Sequence, residues 1–182
     1  MENKTNIYRM AIIGVMAAVI CILGPLSIPI GVVPITFTNL AIYFSLYALG
    51  MKKGAMSYII YMLIGLIGLP VFSGFGGGPS KIIGPTGGYL IGFIFTALIS
   101  GFFIDKYFDK WYMCFIGMVL GMSVCYIFGS MWLSYQANIS TAQAFAAGVI
   151  PFIPGDLTKI SIATFIGPVI RKRLIKIDLF QA

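Results

Sequence analysis

The chain has 182 residues, of which 59% are hydrophobic and only 9% charged. Soluble domains carry about 25% charged residues, so a water-soluble globular fold is excluded and lipid is the solvent for most of the surface. The net charge of +7 does not point to a nucleic-acid partner, because the basic residues lie in short clusters between apolar runs.

The apolar runs are continuous rather than alternating, which predicts helices and not a membrane β-barrel. There is no His, which removes His-based metal, triad and proton-relay chemistry. Cys21, Cys114 and Cys125 fall inside apolar runs at spacings that fit no metal site, so they read as small hydrophobes. The expectation is one all-α, polytopic membrane domain over residues 1–182. It carries no enzymatic constellation: no paired carboxylates, no metal cluster and no activated nucleophile.

In chain order, the first span is expected at 8–24 and ends at Gly24-Pro25. It has no small-residue cleavage site of a signal peptide. Ala11, Gly14, Ala17 and Ala18 give it a small-residue face, suited either to packing within the chain or to docking a partner membrane subunit. Residues 25–37 hold three prolines and no charge, and predict irregular backbone buried at a cavity. The second span is expected at 38–50 and the third at 55–69, with a tight basic turn between them at Lys52-Lys53. Residues 70–85 form a Gly-rich loop containing Lys81, read as a lid over a pocket or a flexible connector. It lacks the Gly-Lys-Ser/Thr of a phosphate loop.

The fourth span is expected at 86–104, and Asp105 to Lys110 is a charged turn. The fifth is expected at 112–133, with Gly117-x-x-x-Gly121 as a close-packing motif. Residues 134–155 form a third outer loop, with a short surface helix over about 141–149, after which Pro151 and Pro154 break the chain. The sixth span is expected at 156–171, followed by a basic tail. Six spans put both termini on one side. Lys4, Arg9, Lys52, Lys53, Lys106, Lys110 and the bases of 171–176 share that side, which makes it cytoplasmic.

The outer side then carries three charges: Lys81, Asp156 and Lys159. Asp156 and Lys159 are three residues apart and share a helical face. Together they offer acceptor oxygens and a cationic donor, the complement of a neutral amide or urea. Asp156 after Pro154-Gly155 also suits a helix cap. Capping leaves Lys159 unexplained, and an ionisable residue inside an apolar run is functional by default.

Several stretches resemble one family: Val33-Pro34-Ile35-Thr36-Phe37-Thr38-Asn39-Leu40, Gly68-Leu69-Pro70-Val71-Phe72, Gly84-Pro85-Thr86-Gly87-Gly88-Tyr89, and Pro154-Gly155-Asp156 with Lys159. In order and across the whole chain, they are similar to the BioY biotin-transport family, the substrate-binding (S) components of energy-coupling-factor (ECF) transporters. The resemblance implies a six-helix bundle with cytoplasmic termini and a biotin pocket near the extracellular side. It implies a transmembrane coupling subunit and two ATPase subunits as partners, with ATP only on those subunits and no cofactor on this chain. The ureido N–H groups of biotin are expected at Asp156, and its ureido carbonyl at Lys159 or Asn39. Phe37, Phe72, Phe75 and Tyr89 are expected to wall the bicycle, and Ser73, Ser80 or Lys81 to face the valerate. The coupling contact maps onto Ala11, Gly14, Ala17 and Ala18. The alternative is a self-sufficient carrier for biotin or a related small vitamin, or a membrane scaffold with no ligand.

Overall fold

The computed structural model describes residues 2–29 and 33–176. It is mostly helical: α1 Glu2–Leu23, a two-stranded hairpin β1 Ser27–Pro29 and β2 Pro34–Thr36, α2 Thr38–Leu66, a 3-10 turn Ser73–Phe75, α3 Pro79–Ile83, α4 Gly87–Tyr107, α5 Trp111–Ala137, α6 Thr141–Gly148 and α7 Ile153–Lys176.

The element α2 is two helical arms joined at Gly50, whose φ of 78° and ψ of 175° are open only to glycine. Ser45 Oγ donates to the Gly54 carbonyl at 3.3 Å. In a continuous helix these residues would be about 13 Å apart, so the chain folds sharply back at Gly50. The expected basic turn is therefore shorter than the sequence implies. Helix resumes at Met51, and Lys52 and Lys53 lie in its first turn. Asp105, from the end of α4, accepts the Met51 N–H at 2.8 Å and the Arg171 guanidinium at 2.8 Å. One carboxylate thus ties the α2 reversal to the ends of α4 and α7.

The loop expected to be irregular over 25–37 contains an antiparallel hairpin, with Ile28 opposite Ile35; its residues 30–32 lie outside the described residues. The Gly-rich stretch is also more ordered than a flexible connector. Gly78 N–H donates to the Gly65 carbonyl at 2.7 Å and Gly74 N–H to the Pro25 carbonyl at 3.1 Å. Phe72 is buried with its ring edge-on to Tyr61 at 5.5 Å, in space left by Gly65.

The α4–α5 pair forms the bundle's largest internal seam. A Cβ on Gly121 would meet Ser100 Oγ at 2.7 Å, and one on Gly117 would collide with Phe103, so the expected glycine motif packs on α4. α6 is the expected short helix, started by a capping box in which Ser140 and Gln143 bond reciprocally. α7 begins earlier than expected. Ile153 and Asp156 N–H groups already donate to the Val149 and Phe152 carbonyls. Pro154 therefore occupies the first turn of α7 and does not break the helix, and Asp156 lies inside that turn rather than capping it.

By length and composition, α4 and α5 can each cross a membrane, and the pair α6–α7, bent by 51°, is a third candidate; Met10–Leu23 is a shorter apolar helix.

Candidate functional site

Hairpin β1–β2, the starts of α2, α4 and α7, and the middle of α5 meet at one end of the bundle around a cavity of about 590 Å³, its open mouth included. Val33, Pro34 and Thr36 come from the hairpin, and Thr38, Asn39 and Tyr61 from α2. Thr86, Tyr89, Leu90 and Phe93 come from the start of α4, Met122 and Tyr126 from α5. Ser73, Gly148, Phe152, Asp156 and Lys159 complete the lining.

The polar heart is a closed cluster. Asp156 Oδ1 accepts from Asn39 Nδ2 at 2.8 Å and from Lys159 Nζ at 2.9 Å, and Oδ2 accepts from Tyr126 Oη at 2.6 Å. Lys159 Nζ also donates to the Thr36 carbonyl at 2.7 Å, and lies 6.0 Å from the centre of the Phe37 ring. Asn39 Oδ1 accepts the Leu40 N–H at 3.1 Å, which turns the amide so that its NH₂ faces Asp156. Asp156, Lys159 and Asn39 are 5%, 7% and 1% exposed. Charges this deep persist only when paired and hydrogen-bonded. Asp156 also lies in the first turn of α7, where the helix dipole favours an anion.

A carboxylate has about four acceptor positions. Three are taken, so Asp156 keeps one for a ligand. Lys159 keeps one of its three donor positions and Asn39 one N–H. The site can therefore offer one anionic acceptor beside two donors, inside apolar walls made by Leu90, Phe93, Met122 and Phe152.

Of the residues expected to form the site, Asp156, Lys159, Asn39, Tyr89 and Ser73 line this cavity. Tyr89 is further pinned by its hydroxyl, which donates to the Gly148 carbonyl at 3.0 Å. The others fall elsewhere. Phe72 is packed behind Tyr61 as support, because Gly65 leaves it a slot. Phe75 is 67% exposed on the 3-10 turn, with φ of 57°. Phe37 is 39% exposed beside Lys159, outside the lining. Lys81 and Ser80 are on α3, where the Lys81 stem lies over Gly76, and neither is among the residues that line the cavity. On α1, Ala11, Gly14 and Ala18 are exposed together with Met10, Val15 and Ile22, whereas Ala17 is buried in the bundle beside Ile20. Ala17 is thus removed from the outward face, since it lies three residues from Ile20 on the inward stripe.

Tyr126 and the Thr36 carbonyl were not legible in the sequence. Met122 and Tyr126 are one turn apart and share a face, which is a usable signal. α5 is apolar on all sides, however, so nothing local distinguishes that face from its others.

Fold and site together define a helical membrane protein with an open-mouthed, largely apolar cavity built around a buried ion pair. The family model described as the BioY family matches residues 1–176, and the chain belongs to that family. It is 36% identical to the biotin transporter BioY of Thermotoga maritima over 160 residues, covering 87% of this chain and 93% of the relative. It is 35% identical to the biotin transporter BioY of Lactococcus lactis over 181 residues, covering 95% of each. Among solved structures, it is similar to the S-component for biotin from an ECF-type ABC transporter, with a TM-score of 0.85, 36% identity, and 94% of this chain and 95% of that one covered.

Proposed function

We propose that this chain is the biotin-binding membrane subunit of an ECF-type uptake transporter and has no catalytic activity of its own. The observation that carries the reading is the buried cluster of Asp156, Lys159, Asn39 and Tyr126 inside the cavity. Its remaining capacity, one anionic acceptor beside two donors, matches a cyclic urea. In such a ring the two N–H groups flank the carbonyl and diverge, so a single carboxylate receives one of them. Asp156 takes one ureido N–H at its open position, and Lys159 and Asn39 donate to the ureido carbonyl. The second N–H turns toward a hydroxyl of the lining, Thr38 or Thr86. Leu90, Phe93 and Phe152 cover the thioether ring and the faces of the bicycle, and the valerate points to the mouth near Ser73.

The placement of bases supports six spans with both termini cytoplasmic, which puts the cavity on the extracellular side. The partners in this reading are a transmembrane coupling subunit, met by the exposed Ala11, Gly14 and Ala18 of α1, and two ATPase subunits that supply ATP hydrolysis. Calorimetric titration of the purified chain with biotin and with desthiobiotin tests the ligand. Both keep the urea, so saturable one-site binding of both is expected. Absence of saturable biotin binding would remove biotin as the ligand, and binding of biotin without desthiobiotin would mean that the urea is not the main determinant.

A further inference from the structure

A second cavity lies on the far side of Tyr126 and Asp156, between α5, α6 and α7. It is an apolar groove of about 800 Å³, its open mouth included. Met122, Val149 and Ile160 form its floor and are buried; Ile127, Phe145 and Leu157 stand at its mouth and are exposed. Three polar residues lie on its walls, Ser123, Tyr126 and Asp156, and the open acceptor position of Asp156 is the one assigned above to the ligand cavity. Ser123 Oγ donates to the Val119 carbonyl of its own helix at 2.9 Å, and Tyr126 Oη donates to Asp156 at 2.6 Å. A polar ligand finds little to bind there, whereas a hydrocarbon chain finds matching walls.

The groove runs along α5, which is long and apolar enough to cross a membrane. Its own lining includes the exposed apolar residues Ile127, Phe145, Ile153 and Leu157, so it is continuous with the apolar outer surface of the bundle.

We propose that this groove seats one acyl chain of a membrane phospholipid, at a site separate from the ligand cavity but sharing its Tyr126–Asp156 wall. The proposal rests on the membrane setting of the family and not on the identity of the ligand. The chain closes the bilayer side of the Asp156 cluster and keeps water from it, which strengthens the hydrogen bonds that hold the carboxylate.

Native mass spectrometry of the detergent-purified chain, titrated with palmitoyl-oleoyl phosphatidylcholine, tests this. Leu157→Trp and Ser123→Trp place an indole in the groove from exposed positions, and Phe102→Trp, on the exposed face of α4, is the control. Each variant is first matched to the wild type in unfolding midpoint. The expected result is one phospholipid adduct that survives the activation that strips all others, lost in both groove variants and kept in the control. Adducts that strip together from the wild type, or a surviving adduct unchanged in both groove variants, would overturn the proposal.

Discussion

Asp156 is held by three donors from three helices, and each removal has its own expected signature. Asp156→Asn deletes the charge that Lys159 and Tyr126 are bonded to. Hydrogen bonds to a charged group contribute about 1.5–3 kcal/mol, so biotin affinity should fall by roughly ten- to a hundredfold in calorimetry. Lys159→Ala leaves the carboxylate buried without its cation. Breaking a buried pair by removing one partner costs about 3–5 kcal/mol, so thermal unfolding should move to markedly lower temperature as affinity falls. Tyr126→Phe keeps the ring and removes one donor to Oδ2. Its effect on affinity should be smaller, at the lower end of that range at about 1.5 kcal/mol; an affinity equal to wild type would take Tyr126 out of the site.

At the scale of elements, the same economy of charge appears at the opposite end of α7. Asp105 receives both the Met51 N–H and the Arg171 guanidinium, and Arg171 is only 8% exposed. Asp105→Ala therefore opens the α2 reversal and removes one partner of a largely buried guanidinium. It should lower stability by about 1–3 kcal/mol in denaturation while leaving biotin affinity within about twofold, since additivity holds for distant sites. Gly50→Ala tests the reversal itself: its backbone conformation costs any residue with a Cβ about 1–3 kcal/mol, read as a lower unfolding midpoint. An unchanged midpoint would mean that the reversal tolerates a side chain.

For the molecule as a whole, the proposed function separates binding from transport. Vesicles containing this chain alone should bind biotin saturably but not concentrate it when ATP is supplied. Accumulation without partners would favour a self-sufficient carrier. Orientation has its own measurement. In a Cys21→Ser background, Lys81→Cys should react with an impermeant maleimide from outside intact cells, and Lys172→Cys only after permeabilisation. The reverse pattern would invert the topology.

Much of this protein was legible one residue at a time. Its 9% charge and continuous apolar runs determined that lipid is its solvent, because transfer energy sums along the chain regardless of packing. Helical spacing determined that Asp156 and Lys159 share a face, and ordered motifs pointed to the family that the chain belongs to. What α7 does with that face was decided by tertiary structure alone. Asn39, 117 residues away, and Tyr126, 30 residues away, close on the carboxylate. Which turn of an all-apolar helix faces inward depends on how neighbours such as Gly121 and Ser100 let the helices approach. The same dependence placed Phe72, Phe75 and Lys81 outside the cavity lining and Ala17 on the inward side of α1. Their local sequence sets where the backbone can bend, but the direction of each side chain is set by the space its neighbours leave.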